Sequence, residues 1–295
     1  MSKVTIVVAT RNRAQALSDS LDRLLALPES PAVIVVDNGS TDSTAAMVTR
    51  RFPAVRLLSL RANEGAVARN HGVAAAATPY VAFADDDSWW EAGSLAEAEA
   101  LFDSHPALAL IAARTVVGPA ARTDSLSDFM ATAPLGWPDE LPGPAVLGFL
   151  ACSAVVRRDA FLRAGGFDPV VFFMGEEARL AYDLRAAGWG LAYCEQVIAH
   201  HHPIADGSTP AKAALALRNR ALTAWMRRPV PVAISATGSL LRTGVASTAG
   251  RRALVGFAAR LPRALAARTR PHPTVEADLD GLAAAENGRA ILAAP

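Results

Sequence analysis

Tyr80 to Trp90 reads YVAFADDDSWW. An apolar run of β type, Tyr80 to Ala84, breaks abruptly into three consecutive carboxylates, Asp85, Asp86 and Asp87. Adjacent like charges at the end of a buried strand repel one another and lose hydration, so they stay ionised at a cost unless a cation joins them. A hard divalent ion answers that need, since Mg²⁺ takes one or two carboxylates and completes its shell with water and phosphate oxygens. The alternative is an acidic turn on the surface, and the surrounding sequence decides between the two.

Upstream, strand-like and helix-like stretches alternate. Val4 to Ala9 is a continuous apolar run of the kind buried on both faces of a parallel sheet, and it ends in Thr10-Arg11-Asn12-Arg13. Ala14 to Leu27 carries Leu17, Leu21, Leu24 and Leu25 at helical spacing before Pro28. Ala32 to Val36 is a second strand, closed by the turn-forming string Asp37 to Asp42, and Ser43 to Phe52 follows as a helix. Val55 to Leu60 and Tyr80 to Ala84 are strands, with a small-residue helix between them over Ala66 to Ala77. Each polar cluster follows a strand, and parallel sheets gather their binding residues at that edge. The expected fold is α/β, with a mostly parallel central sheet and helices on both faces.

The chain has 295 residues, 52% of them hydrophobic, enough for a large core. Its formal net charge of +1 argues against a generic nucleic-acid binder. The average hides an asymmetry, because no acid occurs between Asp206 and Glu276 while twelve Lys and Arg residues do. Cys152 and Cys194 lack any metal-type spacing and read as buried thiols. Met1-Ser2-Lys3 runs straight into a strand without a signal-peptide pattern, and no apolar run is long enough to span a bilayer as a helix, so a cytoplasmic location is expected.

Taken singly, Thr10 to Arg13 could cap a helix, Asp37 to Asp42 could be a turn, and Asn63-Glu64-Gly65 with Arg69 to Gly72 could be a loop and a solvated helix face. Together they supply what a sugar nucleotide needs. There are hydrogen-bonding groups and a carboxylate for base and ribose, Gly65 and Gly72 for close backbone approach, Arg69 near phosphate and carboxylates for a metal. Neither a GxGxxG after the first strand nor a GxxxxGK[ST] is present. The series VVATRNR, VVDNGSTD, NEGAVARNHG and FADDDSW resembles family 2 glycosyltransferases of the GT-A fold, and the resemblance extends to about His202. It implies that Thr10, Arg11 and Asn12 line a base pocket, with Asn63 and Gly65 beside them, and that Asp37 meets base or ribose. Asp85 and Asp87 would be the outer acids of a DXD motif, with Asp87 on the metal and Asp86 on ribose or phosphate.

Downstream, Glu91 to Phe102 reads as a helix and Ala107 to Val117 as a core strand. Gly118 to Gly148 is rich in Pro, Gly, Ser and Thr and reads as a long lid or acceptor loop. Within it Trp137 is either a platform for an acceptor sugar or a local anchor. Gly165-Gly166-Phe167-Asp168 resembles the family's GGFD turn. Phe172 to Glu177 then leads into a helix ending at Gly188, where the family pattern places an acidic pair, Glu176 and Glu177, with Glu177 as general base. Arg179 and Asp183 exchange the family's usual charges and suit an i,i+4 ion pair. Trp189 to Ala199 is a strand leading to His200-His201-His202, of which His201 is the expected metal ligand or phosphate contact.

Beyond Pro210 the chain becomes a basic, amphipathic helical region, either packed on the body or lying on anionic lipid. The expected division is a GT-A catalytic domain over 1–205, with a donor half to about 117, and a helical appendage over 206–295. The resemblance implies transfer of a sugar with inversion from a nucleoside diphosphate donor, UDP or dTDP first, to an unidentified acceptor hydroxyl, with Mg²⁺ or Mn²⁺. A nucleotidyltransferase and a non-catalytic sugar-nucleotide-binding partner are the alternatives.

Overall fold

A computed structural model describes residues 2–203 and 209–292, with side chains to residue 285. The expected boundary at 205/206 falls within 204–208, outside the described residues. The elements run β1 (Val4–Thr10), α1 (Ala14–Leu25), β2 (Ala32–Asp37), α2 (Thr44–Arg51), β3 (Arg56–Ser59), α3 (Ala68–Ala75), β4 (Tyr80–Asp85), β5 (Ser88–Trp90) and α4 (Ser94–Ser104). There follow β6 (Leu108–Val117), β7 (Arg122–Thr123), α5 (Ser125–Ala131), β8 (Ala154–Arg157), α6 (Arg158–Arg163), α7 (Glu176–Ala186) and β9 (Gly190–His201). The C-terminal helices are α8 (Pro210–Arg227), α9 (Val230–Ala246), α10 (Thr248–Ala266) and α11 (Pro273–Leu292).

The strands form one sheet in the order β3-β2-β1-β4-β8-β6-β9-β5, with β7 added on β6. The first four are parallel, and register aligns their polar ends, Thr10 opposite Asp37 and Ala9 opposite Asp85. Three of the predicted polar clusters therefore sit side by side at one sheet edge, and the loop after β3 joins them. Past β4 the sheet turns mixed, since β8 runs antiparallel to both β4 and β6 while β6 and β9 are parallel.

Apolar layers cover both faces. Leu17, Leu21 and Leu24 of α1 are fully buried on one side with Phe102, and Phe161, Phe167, Leu180 and Leu184 fill the other. Gly72, expected beside a ligand, serves packing instead. A Cβ there would stand 2.4 Å from Val7 Cγ1, so glycine lets α3 lie close on β1. Cys152 and Cys194 are buried and free, as expected.

The 118–148 stretch is more ordered than its composition suggests, for it contains β7 and α5, the latter capped by Asp124, whose carboxylate accepts from the Leu126 N–H at 2.8 Å. The C-terminal helices build a third core around Leu222, Met226, Leu240 and Phe257, into which Val170 and Val171 insert. Ion pairs fasten this region to the body. Arg227 holds Asp183 and Arg185 meets Asp278 at 2.6 Å, while Arg228 and Glu276, 2.7 Å apart, join the end of α8 to α11 within the region. The expected Arg179–Asp183 pair is present at 2.8 Å. Among the described residues no helix is long and apolar enough to cross a membrane.

Candidate active site

A cavity of about 660 Å³ opens at the carboxyl edge of the parallel strands. Of the residues singled out in the sequence, Thr10, Arg11, Asn63, Gly65, Arg69, Asp85, Asp86, Asp87 and His201 all line it. Asn12, Asp37, Trp137, Glu176 and Glu177 do not. Asn12 is spent on its neighbour loop, donating its N–H to Ser40 Oγ at 2.9 Å and accepting from the Thr41 N–H at 2.7 Å. Asp37 is buried and accepts from the Ser40 N–H at 3.1 Å, so it shapes the turn. Trp137 is 64% exposed on the segment between α5 and β8.

Sequence reasoning passed over Asn38 and Arg13. Asn38 Nδ2 donates to Asn63 Oδ1 and to the Gly65 carbonyl, both at 3.0 Å, and its Oδ1 accepts from the Glu64 N–H at 2.7 Å. It thereby joins the loop after β2 to the loop after β3. Arg13 Nη1 stands 3.5 Å from Asp87 and 3.6 Å from Asp86, an internal counter-charge to the acidic turn. An Asn just past a strand and an Arg inside a polar run were the signals.

The three aspartates face three different partners. Asp85 Oδ1 is bound by Arg69, which is buried. Asp86 is buried, accepts from Thr10 Oγ1 at 2.9 Å, and has its pKa pushed up to about 7 by desolvation, against the pull of Thr10 and Arg13. Asp87 meets His201 Nε2 at 3.5 Å, and that contact raises the imidazole pKa. The other histidines turn to Trp89, His200 stacking on it and bonding Glu91 while His202 meets it edge-on. His201 is thus the histidine that reaches the cavity.

Behind Arg69 lie the two glutamates at the start of α7. Glu176 is 3% exposed, its Oε2 has no hydrogen-bond partner among the described residues, and burial with the adjacent Glu177 pushes its pKa to about 8. Glu177 is half-buried, and desolvation raises its pKa against the opposing effects of Arg69 and the Ala151 N–H. Burial disfavours the Arg69 charge, but Asp85, Glu176 and Glu177 outweigh that and hold its pKa above the ordinary value.

Phe172 and Phe173 line the cavity and lead into Met174, with Phe172 and Met174 at φ of 71° and 73°. The Phe172 carbonyl accepts from the Ala66 N–H at 2.6 Å, and only glycine fits at position 65, where a Cβ would stand 2.2 Å from that carbonyl. Asn219 of α8 grips the segment from behind, donating Nδ2 to the carbonyls of Phe173 and Met174. Arg218 Nε donates to Asn219 Oδ1 at 2.8 Å, which fixes the amide with its donor toward the loop. Lys212, from the first turn of α8, also lines the cavity.

No three His, Cys, Asp or Glu side chains among the described residues form a ready-made metal cage. The donor set fits an ion that keeps open positions, with Asp87 and His201 as an oxygen and nitrogen pair at the cavity wall.

The chain is 30% identical over 246 residues to the N-acetylglucosaminyl-diphospho-decaprenol L-rhamnosyltransferase of Mycobacterium tuberculosis, covering 70% of this chain and 78% of that one. The fold is similar to that of the mannosyltransferase PcManGT from Pyrobaculum calidifontis in complex with GDP-Man and Mn²⁺, with TM-score 0.61, 23% identity, and 98% and 80% of the two chains covered. It is also similar to S. aureus TarS in complex with UDP-GlcNAc, with TM-score 0.59, 16% identity, and coverage of 91% and 84%. These are GT-A glycosyltransferases, and the α/β fold here is of that type. The family model described as Glycosyl transferase family 2 matches residues 5–163, a span that begins in β1, takes in the acidic turn and ends with α6. Matching more than half the chain, including the parallel strands β1, β2, β3 and β4, it places this glycosyltransferase in glycosyl transferase family 2.

Proposed function

We propose that the protein moves a sugar, with inversion, from a nucleoside diphosphate sugar to an acceptor hydroxyl, and that Mg²⁺ or Mn²⁺ assists. The observation that carries this is the polar wall of the cavity. Arg13, Arg69 and His201 face Asp85, Asp86 and Asp87 there, with Glu176 and Glu177 close behind. Arg11, Arg13, Arg69 and Lys212 share the lining with Asp85, Asp86 and Asp87, and carboxylates that already engage Arg13 and Arg69 compete with a diphosphate for those cations, so the donor is expected to arrive with a divalent cation. Asp87 and His201 would hold that ion, which supplies positive charge for the departing diphosphate.

The remaining steps belong to side chains. Asn63, Thr10 and Arg11 bound the nucleoside end, with Asp86 toward ribose or phosphate and Gly65 allowing close backbone approach. Arg69 stands where charge grows on the leaving diphosphate. Glu177 takes the acceptor proton as the hydroxyl oxygen bonds to the anomeric carbon and the bond from that carbon to the diphosphate oxygen breaks. A single displacement inverts the anomeric centre. Desolvation already raises the Glu177 pKa, which makes its carboxylate a stronger base. Trp137 stays a candidate acceptor platform on the outer loop. The donor class placed first is UDP- or dTDP-sugar.

Thermal stabilisation by a panel of UDP-, dTDP- and GDP-sugars with Mn²⁺ tests the donor reading, because a ligand of the native state raises the melting temperature. Glu177→Gln should keep donor binding and lose at least ~100-fold in transfer. If Glu177→Gln transfers at the parental rate, the base is elsewhere. A chain that binds donor but neither transfers nor hydrolyses it would be the non-catalytic partner.

A further inference from the structure

Ten large apolar side chains are well exposed among the described residues, and six of them, Val230, Ile234, Leu241, Val245, Val255 and Leu265, belong to α9 and α10. Four are in register. Val230, Ile234, Leu241 and Val245 are separated by four, seven and four residues, which puts them on one face of α9, a strip about 22 Å long. Val245 is 84% and Ile234 58% exposed, so nothing described in this chain covers the strip. Ala233, Leu240 and Gly244 occupy a separate face of the helix and are buried in the C-terminal core.

Charge on the same two helices has one sign. Arg242, Arg251, Arg252 and Arg263 are exposed, and neither helix contains an acid. Arg242 and Arg251 bond only neutral hydroxyls of their own helix, Ser239 and Thr248, whereas the inward-facing Arg227 and Arg228 are held by Asp183 and Glu276. The apolar strip therefore borders a positive field with no counter-charge on either helix.

We propose that the α9–α10 pair is a docking surface for an anionic lipid bilayer, with the Val230–Val245 strip pressed into the headgroup and acyl boundary and the arginines on lipid phosphates. Neither helix is a spanning segment, and an amphipathic helix with a basic flank lies in the interface plane. Charge complementarity selects this occupant. A second copy docked strip to strip would bring two acid-free arginine faces together, whereas an anionic leaflet attracts each basic residue near its surface. This surface is separate from the donor cavity and does not depend on which sugar is moved.

Flotation of the full chain with phosphatidylcholine vesicles, or with phosphatidylcholine–phosphatidylglycerol vesicles, tests it. Binding is expected on the anionic vesicles at low salt and release at ~0.5 M salt, where the Debye length falls below ~5 Å. The triple variant Ile234→Ser/Leu241→Ser/Val245→Ser should lose at least ~10-fold in partitioning while melting as the parent does. Arg242→Gln/Arg251→Gln/Arg252→Gln should lose on the order of 100-fold. Equal binding to both vesicle types, equal binding by the serine variant, or no binding by the parent overturns the proposal. So does a dimer in vesicle-free solution that the serine variant abolishes, which would make a second copy the occupant.

Discussion

Asn219→Leu probes whether the C-terminal helices shape the cavity. The Asn219 side chain is 1% exposed and makes three hydrogen bonds, two to the carbonyls of Phe173 and Met174 and one from Arg218. Neutral hydrogen bonds contribute ~1 kcal/mol each and one from a buried guanidinium ~1.5–3, so their joint loss costs roughly 3.5–5 kcal/mol. Phe172 and Met174 hold left-handed backbone at ~1–2 kcal/mol apiece, so the freed loop has a comparable strain to relax. The variant should melt roughly 5–10 °C lower and lose at least ~10-fold in transfer, with protease cutting near residues 172–175. Asn219→Asp separates the parts. It keeps an acceptor for Arg218 but sets a carboxylate against two carbonyls, so it should lose transfer as the leucine variant does, with a smaller fall in melting temperature. If Asn219→Leu matches the parent in both melting and transfer, α8 does not brace the loop and this reasoning fails.

Asp87→Asn should weaken Mn²⁺-dependent binding of a nucleoside diphosphate by more than ~10-fold and His201→Ala by less, read by calorimetric titration with and without the ion. Gly65→Ala forces a Cβ to 2.2 Å from the Phe172 carbonyl at φ of 62°, and should cost about 1–3 kcal/mol in urea unfolding while raising the donor KM. Glu176 offers a test through pH. Its folded pKa of about 8 lies above the ordinary 4.5, so the folded chain keeps a proton that the unfolded chain releases, and stability falls as pH rises between those values. Glu176→Gln removes that dependence, so its advantage over the parent should grow by roughly 3–5 kcal/mol from pH 5 to pH 8. A constant difference across that range would show that Glu176 ionises normally.

The parallel part of the sheet was legible because its signals are local. Apolar runs buried on both faces mark β1, β2 and β4, and a polar string after each marks the edge where parallel strands present their ends. The same locality explains what stayed hidden. Asp37 and Asn38 are adjacent turn formers, and only the bond from Asn38 to Asn63 shows which of them joins the loops around the cavity. Arg179 and Asp183 could be paired from their i,i+4 spacing, but nothing local announces that Arg227, 44 residues on, shares Asp183. Strand direction beyond β4 was equally hidden, because β8 has four residues and its antiparallel pairing is set by the chain on both sides. Asp124 did leave a cap signal before α5, submerged in a stretch whose Pro and Gly content reads as loop.

The C-terminal arginines look alike in sequence, yet the structure divides them by what they face. Arg218 and Arg227 turn inward, the first orienting Asn219 against the loop lining the cavity, the second tying α8 to α7, the helix whose first turn carries Glu176 and Glu177. Arg242, Arg251, Arg252 and Arg263 turn outward on helices that pack against α8 through Leu240 and Phe257. One packed unit therefore touches the Phe172–Met174 loop on one side and presents the uncovered apolar strip on the other. Movement of α8 relative to α7 would have to break the Asp183 contacts and the Asn219 bonds together, since both originate on the same helix. The cavity loop and the strip are thus held in a fixed relation by packing, so a bilayer seated on α9 and α10 would set the height and tilt at which the cavity mouth meets its acceptor.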